Sequence, residues 1–228
     1  MKYFIVFFTS ILIASGWPLA AQQFEAAQVN TPDPANTRVD HDVHVENWRV
    51  LDIFLYLLRG TGLHGGFVEM AACSDLPKGR LQIEPGLTIQ QAMDALVAAN
   101  PGYQWELKDG VVNMMPRGGA PLLDTRIAKF QESATNRDVQ VVFGHLLRLP
   151  EVQKRQVALG FEKEQFGQGG LSGGQTHPAP PVQINLQDLS LQEAFNKVVQ
   201  VSPKAVWIYH ETDCNGAKTY IIRVQSDY

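Results

Sequence analysis

The chain reads GLTIQQAMDALVAANPGYQW from Gly86 to Trp105, and at an offset of 102 positions DLSLQEAFNKVVQVSPKAVW from Asp188 to Trp207. Both stretches parse into the same devices. In the first, Thr88 and Gln91 have capping-box spacing, in which the Thr hydroxyl accepts from the backbone N–H three residues on. Ile89, Ala92, Met93, Leu96 and Val97 form one helical stripe. Pro101 cannot continue the helix and restricts Asn100 before it. Tyr103, Trp105 and Leu107 then alternate as a strand, Lys108-Asp109-Gly110 turns the chain, and Val111–Met115 returns as its hairpin partner.

The second stretch repeats each step. Ser190 and Glu193 are the capping box, and Leu191, Ala194, Phe195, Val198 and Val199 are the stripe. Pro203 is the stop, and Ala205, Trp207 and Tyr209 alternate. Asn215-Gly216 supplies turn chemistry before TYIIRV returns. The preceding VQIN (182–185) matches LQIE (81–84). Over the twenty residues Thr88–Leu107 and Ser190–Tyr209, only five aligned positions are identical: Gln90/Gln192, Ala92/Ala194, Val97/Val199, Pro101/Pro203 and Trp105/Trp207. Identity is therefore weak, and the shared cap, stripe, stop and hairpin carry the repeat. The expected fold is α+β: two tandem small strand–helix–hairpin modules, the first over 43–117 and the second over 122–226.

Each copy has a front part. In the first, VHVE forms a short strand, and Asn47 is a candidate N-cap for a helix along WRVLDIFLYLLRGTG. Leu51, Phe54, Leu55 and Leu58 share one face of that helix. Gly60 and Gly62 end it, and GGFVEMA supplies the next strand. In the second, a strand runs from Arg126 to Gln131, followed by a helix in NRDVQVVFGHLLRL. Pro150 opens another short helix, closed by Gly160. A Gly/Pro-rich loop occupies 162–181. No Gly-Lys-Ser/Thr closes it, so it is not a phosphate loop.

Working out to the N-terminus, residues 1–21 have one Lys, an apolar run and small residues. That layout is a signal peptide, with cleavage expected near Ala21. The alternative is an uncleaved anchor, although the run is short of the roughly 20 residues of a spanning helix. No Cys follows it, which argues against a lipoprotein. Residues 22–42 are polar and read as a flexible leader. No later segment is apolar enough to span a bilayer, so no transmembrane segment remains after cleavage. The mature chain is expected to be an exported, mildly acidic protein. The chain is 45% apolar and 18% charged, as in globular proteins. Its net charge of −4 argues against nucleic acid as a partner.

The run LDIFLYLLRGTGL, the strand-like GGFVEM, LQIEPGLTIQQAMDALV and YQWELKDGVVNMMP together resemble a known family. It is the short N-terminal (STN) domain shared by secretins and TonB-dependent outer-membrane receptors. Thr61-Gly62-Leu63 and Leu87-Thr88 occupy the places of that domain's motifs. The resemblance covers roughly residues 43–116, and the second copy matches mainly from Val182 onward. It implies a small βα-type module that binds other proteins in the periplasm, with an envelope or outer-membrane protein as partner. Outer-membrane association follows from the same comparison.

The residues themselves carry little chemistry. Cys73 and Cys214 are the only cysteines. In an oxidising space they are a candidate disulfide, and two free thiols are the alternative; distance decides between them. His41, His44, His64, His145, His177 and His210 are scattered. His41 and His44, three apart on a strand, face opposite sides and do not converge on a metal. HETDC gathers His210, Glu211, Asp213 and Cys214, read either as a thiol or His site or as a polar hairpin tip with a structural Cys. Trp105 and Trp207 read as core residues. Met114 and Met115 are expected on an edge strand open to a partner strand. No catalytic, metal or cofactor-binding residue is assigned, and no cofactor is expected. The functional expectation is an exported, non-enzymatic protein-binding or scaffold protein associated with an outer-membrane or secretion assembly. The alternative is a periplasmic enzyme with its site at the 210–214 hairpin, covered by the 162–181 loop.

Overall fold

A computed structural model describes residues 32–33, 36–73, 75–134, 139–166, 181–202 and 204–226. The expected signal peptide, most of the expected leader, His177, Pro203 and residues 167–180 of the expected loop lie outside the described residues. The chain is α+β. Its first half runs β1 (Val43–Arg49), α1 (Val50–Leu58), β2 (His64–Ala72), β3 (Lys78–Ile83), α2 (Ile89–Ala99), β4 (Tyr103–Lys108) and β5 (Val111–Pro116). Its second half runs β6 (Arg126–Ala134), α3 (Val139–Leu147), α4 (Pro150–Ala158), β7 (Phe161–Phe166), β8 (Val182–Ser190), α5 (Leu191–Val199), β9 (Ala205–Cys214) and β10 (Ala217–Ser226).

Local chemistry explains the helix starts. Thr88 accepts from the Gln91 backbone at 3.2 Å while the Gln91 side chain accepts from the Thr88 N–H. Ser190 and Glu193 form the same reciprocal box on α5. The segment that leads into the first strand of each half, β1 or β6, adds a further bond. Ile89 N–H donates to the Thr37 carbonyl at 2.9 Å, and Leu191 N–H donates to Thr125 at 2.8 Å. The first of these bonds comes from a segment assigned to the leader, in which Val39 is buried in the first half's core while Arg38, Asp40 and Asp42 stay exposed. The two hairpin turns also match. Asp109-Gly110 and Asn215-Gly216 both have positive φ, as a two-residue type I′ turn requires.

Pairing beyond the local scale builds three sheets. β1 pairs with β3 and β6 with β8, both antiparallel. The remaining six strands form one sheet in the order β4-β5-β2-β9-β10-β7. Its first three strands come from the first half and its last three from the second, in the corresponding order. β2 joins them by pairing parallel to β9 over eight residue pairs, from Gly65–Val206 to Ala72–Asp213. β5 runs parallel to β2 and β9, whereas β10 runs antiparallel to β9. The second triplet thus keeps the order of the first with its direction reversed, which turns it over. Alternate residues confirm this. Phe67, Val112, Val206 and Ile208 pack with α1 and α2 on one face. Val68, Val111, Trp207 and Tyr209 pack with α3 and α5 on the other. One central sheet therefore separates two hydrophobic cores.

Several expectations change here. Asn47 is not an N-cap: it takes φ of 60° at an irregularity in β1, and α1 starts at Val50 with no side-chain cap. β5 is not an edge, because β4 and β2 flank it, and Met114 is buried. The edges are β4 and β7. Residues 162–166, assigned to the loop, continue strand β7 parallel to β10. Trp207 is buried as expected, but Trp105 on edge strand β4 is only half-buried, and Leu107 beside it is 47% exposed. Each indole still finds the equivalent partner. Trp105 Nε1 donates to Asp94 at 2.8 Å and Trp207 Nε1 donates to Asn196 at 2.7 Å.

The sheet centre is tight. A Cβ on Gly66 would fall far inside contact with the Trp207 ring and Asn113 Oδ1. Both lie in the interior, where neighbours on β5 and β9 hold them. Gly66→Ala is expected to cost about 3 kcal/mol through overpacking, read as a lowered urea midpoint with an unchanged m-value. Gly118→Ala, with open space around it, is the matched control.

Candidate functional site

From Gly65 to Ala72, β2 is apolar except for one residue. Glu69 has no exposed side-chain surface, and its register neighbour across the β2–β9 junction is His210. A buried carboxylate needs partners, and three donors supply them. Arg49, the last residue of β1, reaches over the sheet face and grips Glu69 with both Nε and Nη2, the former at 2.8 Å. His210 Nδ1 lies 2.9 Å from Oε2. An ionised carboxylate only accepts, so Nδ1 carries the hydrogen. His210 Nε2 then faces the Thr212 hydroxyl at 3.0 Å. Burial opposes ionisation of Glu69 and is the largest single influence. The bonds from Arg49 and then His210 outweigh it, so the carboxyl sits below its ordinary range. The Arg49 guanidinium is held above its usual range by the same bonds.

Above this group on the sheet, Cys73 and Cys214 form a disulfide, with Cα atoms 4.4 Å apart. Cys73 N–H also bonds the Asp213 carbonyl. The bridge closes the β2–β9 junction at its far end and links the two halves covalently. A bridged Cys214 offers no thiolate, so the thiol version of the enzyme alternative has no nucleophile in this state. The HETDC residues do not converge either. His210 and Thr212 lie on the α1 face of β9, whereas Glu211 lies on the opposite face and accepts from the Tyr209 hydroxyl at 2.6 Å.

The other histidines are dispersed. His41 pairs with Asp40 at 2.8 Å, His44 with Glu84 at 3.5 Å and His145 with Glu132 at 2.8 Å. His64 is buried in β2, and burial depresses its pKa. Among the described residues, no group of three His, Cys, Asp or Glu side chains is arranged to hold a metal. No helix among them is long and apolar enough to cross a membrane. An open groove of about 490 Å³ runs between the β1–β3 pair and α2, lined by His44, Glu46, Arg80, Gln82, Ala95 and Ala99. It carries no cluster of converging groups.

A second set of polar contacts ties the halves together on the opposite face. The first hairpin tip docks on α5: Lys108 pairs with Glu193 at 3.0 Å, Lys197 with Asp109 at 3.3 Å, and the Gln200 amide donates to the Asp109 carbonyl.

The sequence reading missed Arg49 and Glu69. The available signal was Glu69 itself, a lone acid inside the apolar run GGFVEMAA, which can be buried only with a cation. Comparison with known protein families, characterised proteins and solved structures returns no match.

Proposed function

We propose that the chain is an exported periplasmic scaffold of two tandem modules akin to the short N-terminal domain of secretins and TonB-dependent receptors. In this reading it is not an enzyme, and it binds an extended segment of an envelope or outer-membrane protein. One observation carries the reading: the six-stranded sheet ends in strand β4, whose outer backbone groups pair with no other described strand. An open edge accepts a partner strand through main-chain bonds, and nearby side chains set specificity. β4 has such side chains, with half-buried Trp105 and exposed Leu107 on one face and exposed Gln104 and Glu106 on the other. The Cys73–Cys214 bridge suits an oxidising compartment, and the signal-like N-terminus points to the same place.

A photo-crosslinking residue at Gln104, introduced into the chain in its native cells, tests this. The expected result is one discrete envelope-protein adduct. The same probe at Val157 on α4, which is 78% exposed, should give none. Equal labelling at the two positions, or no adduct at either, removes the edge-pairing reading.

A further inference from the structure

Arg223 is the one charged residue on β10 whose position the fold does not use. The β9–β10 register places it opposite Ile208, on the sheet face that carries His210 and Thr212. It is half-buried. Among the described residues it has no carboxylate within 4.0 Å and no side-chain hydrogen bond, although the chain supplies acids nearby. Glu69 attracts it, but both Glu69 oxygens are occupied by Arg49 and His210. Asp52, in the first turn of α1, attracts it too, but is solvent-exposed. Arg49 repels it. A guanidinium that is half removed from water, beside a second guanidinium and without a bonded partner among the described residues, is destabilising unless something occupies its donors.

We propose that Arg223 is the anchor of a binding site for an organic carboxylate on the open face of β9–β10. The surroundings select that class. The sheet face itself carries two guanidiniums, Arg49 and Arg223, and one carboxylate, Glu69, while Asp52 on α1 is exposed and screened by water, so a single bound carboxylate balances the face. The planar fork of arginine matches a carboxylate in two parallel bonds. Thr219 lies opposite Thr212 and offers a hydroxyl donor on the same face, while half-buried Ile221 between Thr219 and Arg223 offers an apolar floor for the carbon skeleton. The β10–β7 part of this face lies outside the core built by α1 and α2, which reaches only to Val206 and Ile208 on β9. This site is on the opposite end of the sheet from β4, so it stands or falls apart from the edge-pairing reading.

The test is an NMR titration of the arginine Nε–H signals in the full mature chain at constant ionic strength. The probes are glutarate, a tetraglutamate peptide, inorganic phosphate and chloride. The expected result is a saturable shift of the Arg223 Nε–H signal and of the Thr219 and Ile221 backbone amides with glutarate or tetraglutamate, absent with chloride, with the amide shifts lost in R223Q. R223K, which keeps the charge without the fork, should weaken binding at least tenfold. A half-saturation at least tenfold lower for tetraglutamate than for glutarate assigns the carboxylate to a peptide, and equal values assign it to a small acid. R223Q should melt no lower than the parent, because it removes an unpartnered charge. A shift that never saturates, that persists in R223Q, or that phosphate alone produces overturns the proposal. So does a fall in melting temperature for R223Q, which would give Arg223 a structural partner.

Discussion

Glu69→Gln is expected to destabilise the protein by about 3 kcal/mol at neutral pH, the low end of the range for breaking a buried ion pair. The low end applies because the Arg49 side chain retains 23% exposure and can recover some hydration. Glutamine keeps the shape and one acceptor, but leaves Arg49 without its counter-charge. It also changes the pH profile. The folded carboxyl lies below its ordinary 4.5, so its contribution to stability is present above that value and lost as pH falls through the folded pKa. A residue that does not titrate removes this part of the acid limb. Some slope persists in the variant, because Glu193 is also lowered, to about 2, by its bonds to the Ser190 backbone and then by Lys108. Urea midpoints measured from neutral pH downward check both points. The parent loses more stability than Glu69→Gln across the acid limb. Equal midpoints at neutral pH would mean that the Arg49–Glu69–His210 group contributes nothing net.

Removal of the disulfide is the second large effect. The bridge spans 141 residues of sequence. A loop that long gives a chain-entropy limit of roughly 5 kcal/mol, and native bridges commonly contribute roughly 2–5. Cys73→Ser with Cys214→Ser is therefore expected to lose several kcal/mol. The loss should fall on the whole molecule rather than on one half, because the bridged strands β2 and β9 hold both cores. Chemical denaturation of the double variant, followed by tryptophan fluorescence, reads this directly: Trp207 lies in one core, and Trp105 packs on the edge of the other. A midpoint equal to the parent would show that the strand pairing alone closes the junction.

The features readable in the sequence were those written within about fifteen residues. Thr88 with Gln91, Ser190 with Glu193, the apolar stripes of α2 and α5, and the turns at Asp109-Gly110 and Asn215-Gly216 all form where their chemistry places them. The features that were not readable depend on which strand lies beside which. Met114 and Trp105 have ordinary strand periodicity, which cannot tell an inner strand from an edge; β2 pairing to β5 decides both. Trp105 and Trp207 occupy equivalent places, yet only Trp207 is fully buried, because β9 is flanked by β2 and β10 while β4 is flanked on one side. Asn47 has the chemistry of a cap, but β1 continues to Arg49 because its pairing with β3 extends to Lys78. The candidate site is assembled from β1, β2, β9 and β10. Arg49 and Arg223 lie 174 positions apart in the chain, and no local pattern connects them.

The shared sheet is the claim on which the rest depends, and native-state hydrogen exchange of the β2 and β9 amides tests it most directly. In one cooperative unit, the amides from Gly65 to Met70 and from Val206 to Glu211 exchange only through global unfolding, with the same free energy as the protected amides of α2 and α5. If β2 and β9 instead exchange through a separate, lower-energy opening while the two helical cores stay protected, the halves are independent domains that merely touch. The account of one sheet between two cores would then be wrong.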